Sequence, residues 1–230
     1  MNDALWIEET SRLYTRYQLE LVEALNLCPW AKRARQAGQV ELKVALQAGD
    51  DPAPSLRQIS EWAARGDLEI GLLIFPRIGL GRRDFERFVA GLVKADADRL
   101  GLQSPTFALA AFHPDASADM GTPERLVPYW RRTPDPTIQL VLMSALERVR
   151  QGDVGGTGYF DMSQLDLSDP KSAAKFFAPA RESLRERVAS ANLKTLQAQG
   201  QEAVEARFAE ILQDHQQTRL MLEQAAARER

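Results

Sequence analysis

The feature that most constrains the fold is a nearly continuous apolar run over residues 68–75, because short runs of this kind are typical of strands buried on both faces. An alternating pattern over residues 40–44 precedes it, and a helical pattern over residues 83–100 follows. A second apolar run covers residues 106–112, and residues 138–142 form a fourth strand or begin a helix. This order predicts an α/β fold, with α+β as the alternative, built on a small mixed or parallel sheet of about three to four strands flanked by helices. A ferredoxin-like or small doubly wound layout is expected.

Helical patterns dominate both ends of the chain. Residues 6–27 form an amphipathic pattern, and two further patterns cover residues 181–199 and 201–228. The sequence therefore predicts an α/β domain over residues 1–180 and a C-terminal helical extension over residues 181–230. The second tail helix carries an apolar stripe that either packs on the body or mediates homo-oligomerisation: Val204, Phe208, Ile211, Leu212 and Leu222.

Charge and cysteine content exclude several classes of protein. The chain has 29 basic and 32 acidic residues and a net charge of −3, so no nucleic-acid partner is expected. A single cysteine excludes an intramolecular disulfide and a cysteine-rich zinc site. The apolar runs are much shorter than the ~20 residues that cross a bilayer, and no basic start followed by an apolar stretch is seen at the N-terminus. We therefore expect a cytoplasmic protein without a membrane partner.

The cysteine lies in a segment suited to a reactive thiol. Pro29 favours the first position of a helix, which would place Cys28 at the N-cap. The positive end of the helix dipole, with Lys32 and Arg33 nearby, would lower the thiol pKa and favour the thiolate. Cys28 is therefore a candidate catalytic residue, with Trp30 and Lys32 beside it as candidate substrate contacts. The alternative is a cysteine that fills a gap between two helices.

A histidine follows the third apolar run directly. His113 comes just past the carboxyl end of that strand, which is the edge where ligands collect in open α/β sheets. It is a candidate catalytic base, and a histidine there can also bind a metal or donate a hydrogen bond. The alternative is a strand-end histidine bonded to a nearby carbonyl. His215, on the tail helix, is expected at the surface.

Two arginines precede a turn that contains two prolines. A guanidinium held on a rigid loop suits a carboxylate or phosphate, so Arg131 and Arg132 are candidate contacts to a small anionic substrate. The alternative is a pair of surface arginines that balance acidic residues.

Two glycine-containing segments give weaker signals. Residues 155–158 resemble a phosphate-binding loop but lack the Lys-Ser/Thr ending, so a flexible loop or lid is the better interpretation. Residues 77–83 form a basic loop at a strand end. This loop could contact an anion, but a solvated turn is the favoured interpretation.

These segments together resemble the family called domain of unknown function 1415. The resemblance covers roughly residues 6–200. It is carried by these stretches: residues 25–33 (LNLCPWAKR), 72–76 (LLIFP), 112–115 (FHPD), 132–136 (RTPDP) and 192–196 (NLKTL) with Gly200. The resemblance groups the candidate site segments but supplies no reaction.

The chain departs from the family pattern after the proline turn. The family typically reads His-Leu-Leu-Arg-Glu there, whereas this chain has Gln139 in place of the histidine and Leu142 and Met143 in place of the charged pair. Gln139 joins the candidate substrate-binding residues.

Three functions follow from these observations. The first is a cytosolic enzyme that acts on a small anionic metabolite, with Cys28 as nucleophile or redox thiol, His113 as base and Arg132 as anion clamp. The second is a non-catalytic binding or oligomerisation module that uses residues 181–230, which the departures at Leu142 and Met143 favour. The third is a haem- or metal-binding protein that uses Cys28 or His113.

Overall fold

We describe the fold from a computed structural model that covers residues 3–28, 31–101, 103–116, 126–152 and 184–228. Seven helices, four strands and two irregular turns of helix make up this part of the chain, and their bounds follow in chain order. They are α1 (Asp3–Tyr17), a π-helical segment (Gln18–Glu23), α2 (Ala31–Gln36), β1 (Val40–Val44), α3 (Ala53–Arg65), β2 (Ile70–Ile74), α4 (Arg82–Leu100), β3 (Phe107–Phe112), a 3₁₀ turn (Tyr129–Arg131), β4 (Thr137–Leu142), α5 (Met143–Gly152), α6 (Leu184–Gln199) and α7 (Gln201–Arg228).

The four strands form one mixed sheet in the order β1-β2-β4-β3. β1 and β2 are parallel, and β4 is antiparallel to both of its neighbours. β1, β2 and β3 therefore run in one direction, and β4 is inserted between β2 and β3 in the opposite direction. The α/β class, the mixed sheet and the helical extension predicted from the sequence are confirmed. The element order differs from the β-α-β-β-α-β order of a ferredoxin-like fold, and β4 distinguishes the sheet from a wholly parallel doubly wound one.

Two helices cover one face of the sheet. Alternate residues of a strand point to opposite faces. This face therefore carries Leu73 of β2, Phe75 of the loop after β2, and Ile138 and Leu140 of β4. Trp62 of α3 packs here as well. The other buried residues of this layer come mainly from α3 and α4: Ile59, Phe85, Phe88, Val89 and Leu92.

The remaining helices cover the opposite face. Ile70, Leu72 and Ile74 of β2 point to this side. They share a second core with α1, the π-helical segment and the two tail helices, whose buried members include Tyr14, Tyr17, Leu21, Leu196, Val204, Phe208 and Ile211. The apolar stripe of α7 is thus packed inside this chain.

Several element boundaries differ from the sequence expectation. The predicted long N-terminal helix ends as an α-helix at Tyr17 and continues as a π-helix. Residues 138–142 belong to a strand, and a helix starts directly after it. Among the described residues, no helix is both long enough and apolar enough to cross a bilayer.

Candidate functional site

A cavity of about 450 Å³ lies between the sheet and the helices on the α1 side. Its floor consists of residues from β2, β4 and β3 that face this side. The strand register places Leu72, Gln139 and Ala110 in one row across the sheet. Ala108 and Ala110 of β3 have small side chains, which leave space above that strand. The residues of β2 that face the cavity are larger.

The walls of the cavity come from segments that are distant in the sequence. α1, the π-helical segment, the loop before α2, the 3₁₀ turn, α5 and α6 each contribute residues. The wall residues are Tyr14, Tyr17, Gln18, Val22, Leu27, Cys28, Ala31, Val127, Trp130, Arg131, Leu146, Val188, Ala189 and Asn192. Most of them are apolar, and a few polar groups lie among them, which is the composition typical of a small-molecule site.

The π-helical segment shapes the wall next to the cysteine. Gln18 and Val22 belong to this segment and line the cavity. Asn26 then adopts a left-handed conformation with φ of 49°, and the chain turns toward Cys28. π-helical turns are rare and occur frequently at functional sites.

Cys28 lines the cavity near two buried phenols. The described part of α2 begins at Ala31, whose N–H donates to the Cys28 carbonyl at 3.2 Å, and Pro29 lies outside the described residues. Burial raises the phenol pKa values of Tyr14 and Tyr17 well above the ordinary range, and the nearby Cys28 adds to both shifts. Both phenols are therefore neutral hydrogen-bond donors at neutral pH and cannot serve as bases for the thiol.

Arg131 and Trp130 enter the cavity from the 3₁₀ turn. The Arg131 guanidinium carbon lies 5.9 Å from the centroid of the Phe112 ring. The indole Nε1 of Trp130 is buried and has no hydrogen-bond acceptor among the residues that the structure describes. A buried N–H without an acceptor costs about 1–3 kcal/mol, so a bound molecule that carries an acceptor would relieve this cost.

His113 lies on the other face of the sheet. Phe112 lines the cavity, and the next residue points the opposite way, as strand alternation requires. The His113 ring lies 5.9 Å from Phe85. Its Nε2–H donates to the Leu80 carbonyl at 3.1 Å, and its Nδ1 accepts from the Asp115 N–H at 3.1 Å. Both ring nitrogens therefore have protein partners, and the sheet separates them from Cys28.

Arg132 also lies outside the cavity. Its two terminal nitrogens donate to the Glu205 carboxylate of α7 at 3.1 and 3.0 Å. Its guanidinium carbon lies 4.1 Å from the Tyr129 ring centroid and 4.6 Å from that of Phe208. Arg132 thus joins the tail helix to the body.

The remaining sequence candidates fall in three places. Gln139, at the position where the family pattern has histidine, lies on the cavity floor. Lys32 is exposed on α2. Trp30 lies outside the described residues. The structure thus brings Cys28, Arg131 and Gln139 together and places His113 and Arg132 elsewhere.

Sequence reasoning missed a buried polar cluster at the other end of β2. His215, expected at the surface, is largely buried, and its Nε2 lies 2.9 Å from Asp135 Oδ1. Arg219 Nη2 donates to Asp135 Oδ2 at 2.5 Å. No sequence signal links residues that lie about eighty positions apart, so this cluster required the structure.

Metal-binding chemistry has little support in the described part of the chain. There, no group of three or more His, Cys, Asp or Glu side chains is arranged to hold a metal ion. Both ring nitrogens of His113 are engaged by the protein, so this residue would have to break existing hydrogen bonds to become a ligand.

Comparison with known proteins identifies a family. The family model described as "Protein of unknown function (DUF1415)" matches residues 12–153. This range contains all four strands and most of the cavity lining, while α6 and α7 lie beyond it. No curated protein matches the chain, and no solved structure does.

Proposed function

We propose that this chain, which belongs to the DUF1415 family, binds a small and mainly apolar molecule that carries an anionic group. The ligand occupies the cavity on the α1 side of the sheet. Its apolar part contacts the floor formed by Leu72 and Ala110, and its polar end meets Arg131 and Gln139. The observation that carries this proposal is the cavity of about 450 Å³, which combines apolar walls with a few polar side chains.

Gln139 supports a polar contact at the floor. It lies on β4 between Leu72 and Ala110, in the centre of an apolar surface. Its amide N–H groups can donate to a carboxylate or carbonyl oxygen of a bound ligand.

Binding is better supported than catalysis by a cysteine–histidine pair. A nucleophilic thiol needs a base within hydrogen-bond reach. His113 lies across the sheet and packs against Phe85, and the nearby Tyr14 and Tyr17 are protonated at neutral pH. Cys28 is therefore proposed as a lining residue that reports on occupancy of the cavity.

Straight-chain carboxylates of about six to ten carbons and their matched alcohols test this proposal. Such molecules suit an apolar pocket of this class. We expect saturable thermal stabilisation of the protein by a carboxylate, with slower alkylation of Cys28 by iodoacetamide in its presence. Arg131→Gln should weaken carboxylate binding at least tenfold and leave alcohol binding nearly unchanged.

A cavity-filling substitution provides the second test. Ala110→Leu adds side-chain volume to the floor and should abolish ligand binding, whereas Ala90→Leu makes the same change at an exposed position on α4 and should leave binding intact. Equal binding by Ala110→Leu and the wild type would show that the ligand does not occupy this cavity.

A further inference from the structure

A second site is indicated by four buried N–H groups that have no acceptor within the described part of the chain. They are the Trp6 Nε1, the Arg77 Nε and Nη2, and the Arg219 Nη1. Trp6 is 7% exposed. The guanidinium carbons of Arg77 and Arg219 each lie 4.6 Å from the centroid of the Trp6 ring. The unpaired donors thus belong to Trp6 and to two arginines that both lie next to its indole ring.

The unpaired atoms of Arg77 form one edge of its guanidinium. Nε–H and the adjacent Nη2–H point in the same direction, and this edge binds carboxylates and phosphates in a bidentate manner. The same molecule shows the arrangement at Arg35, whose Nε and Nη2 donate to the two oxygens of Glu23 at 2.7 and 2.8 Å. In Arg77 only the other end is used, since Nη1 lies 3.0 Å from Asp3. Its bidentate edge is therefore buried and bound by none of the described residues.

The hydrogen-bonding groups left over at the site favour a ligand rich in acceptors. Asp3 pairs with Arg77, and Asp135 pairs with Arg219, so each arginine already has one carboxylate. The unpaired groups that remain are all donors. A neutral ligand such as an amide or alcohol has too few acceptor lone pairs and would leave part of them unpaired, whereas an oxyanion such as sulfate or a carboxylate offers acceptors in several directions and needs no acceptor from the protein.

The position in the fold also suits a ligand. Arg77 lies in the loop after β2, and the carboxyl ends of strands are where ligands bind in open α/β sheets. Trp6 belongs to α1, and Arg219 belongs to α7. Three elements that are distant in the chain therefore meet at this point.

We infer that Arg77, Arg219 and Trp6 form a binding site for a small oxyanion such as inorganic phosphate, sulfate or a carboxylate. The Nε/Nη2 edge of Arg77 holds two oxygens, and Arg219 Nη1 and Trp6 Nε1 supply further donors. None of these residues lines the cavity of the proposed function, so the two sites are separate.

Thermal unfolding and ³¹P NMR of the full chain test this inference with inorganic phosphate as the probe. Ionic strength is held constant with chloride, and sulfate and acetate are compared at the same concentrations. We expect phosphate, sulfate or acetate to raise the unfolding temperature in a saturable manner that chloride does not reproduce, because a ligand that binds the folded state stabilises it.

Arg77→Lys is the decisive variant. It keeps the positive charge beside Asp3 but loses the bidentate edge, so we expect oxyanion affinity to fall at least tenfold. Arg83→Lys makes the same change at an exposed position at the start of α4 and should bind like the wild type. Trp6→Phe keeps an aromatic ring and removes one donor, so it should weaken oxyanion binding about threefold or more. This variant replaces Arg77→Lys in the test if Arg77→Lys does not fold.

Two results would overturn the inference. One is equal stabilisation by chloride and by every oxyanion at matched ionic strength. The other is unchanged oxyanion affinity in folded Arg77→Lys or, where that variant is unfolded, in Trp6→Phe. Because Ala110→Leu blocks the cavity alone, oxyanion binding by that variant separates failure of this site from failure of the proposed function.

Discussion

At the scale of single residues, a glycine of the sheet lies close against a tryptophan ring. A Cβ atom added to Gly71 of β2 would lie 2.7 and 2.8 Å from two ring carbons of Trp62. Trp62 cannot move away easily, because it is fully buried and its Nε1–H donates to Glu41 at 2.9 Å. The Trp62 ring on α3 therefore packs directly on the backbone of β2 at Gly71.

Gly71→Ala should consequently destabilise the protein. We expect a loss of about 1–3 kcal/mol, the usual cost of overpacking a core, measured as the free energy of unfolding in urea. Gly91→Ala is the matched control, because nothing lies within 4 Å of a Cβ at this helical glycine. It should raise stability by about 0.5–1 kcal/mol. Equal effects of the two substitutions would contradict this account of Gly71.

The site residues show what a sequence can and cannot indicate at this scale. Strand alternation predicts that Phe112 and His113 point to opposite faces, but the structure was needed to show that Phe112 is the one that faces the cavity. The small residues Ala108 and Ala110 were a readable signal of space above β3. Arg132 is different, because its partner Glu205 lies far away in the chain and no local pattern connects them.

At the scale of elements, one carboxylate of α7 binds two arginines of α1. Asp214 accepts from the terminal nitrogens of Arg12 at 2.9 and 2.8 Å and from Arg16 Nη1 at 2.9 Å. The hydrogen bonds from Arg12, followed by those from Arg16, hold the pKa of Asp214 well below its usual range. The folded state therefore binds a proton at Asp214 less readily than the unfolded state does.

This shift predicts a pH-dependent contribution to stability. A carboxylate with a lowered pKa in the folded state stabilises fully above its unfolded pKa of about 3.9 and loses that contribution as the pH falls toward the folded value. The difference in unfolding free energy between the wild type and Asp214→Asn should be constant from about pH 7 to pH 5 and shrink below about pH 4. Urea denaturation across this range measures it.

Asp98→Asn serves as the control for this measurement. Asp98 pairs with Lys94 at an exposed position on α4, and such surface pairs contribute only about 0–1 kcal/mol. Its substitution should change stability little at any pH. A difference for Asp214→Asn that is the same at pH 3 and at pH 7 would refute the role assigned to the Arg12 and Arg16 contacts.

The elements themselves were largely predictable, whereas their arrangement was not. The apolar runs and helical periodicities located three strands and most helices, because these patterns are local, and they left residues 138–142 open between a strand and a helix. The insertion of β4 between β2 and β3 depends on pairing between segments that are more than sixty residues apart, such as Leu72 with Gln139. The π-helical segment was missed because it keeps an apolar pattern close to that of an α-helix.

At the scale of the whole molecule, α7 completes a core that the family-matched segment leaves open. The matched range ends at residue 153, but Phe208 of α7 packs on Tyr17 with ring centroids 6.4 Å apart. Val204 and Ile211 lie in the same core. The stripe that suggested an oligomerisation surface is therefore used within the chain.

Phe208→Ala should destabilise the entire protein and not the tail alone. We expect a loss of about 3–5 kcal/mol in a single cooperative transition, as is usual for removal of a buried phenylalanine. Leu220→Ala on the same helix is the control, because Leu220 is 58% exposed, and its effect should stay within about 0.5 kcal/mol. A separate early transition of the tail in Phe208→Ala, monitored by circular dichroism and tryptophan fluorescence, would show instead that α7 unfolds independently.

The central position of β4 has a consequence for biosynthesis. Residues 40–112 leave the ribosome before β4 and carry the three strands that run one way in the finished sheet, but two of them, β2 and β3, then lack the strand that joins them. Until residues 137–142 emerge, the nascent chain presents two open edges that can pair with other chains. A ribosome that pauses between these segments would therefore prolong exposure to aggregation, and chaperone demand should be greatest in that interval of translation.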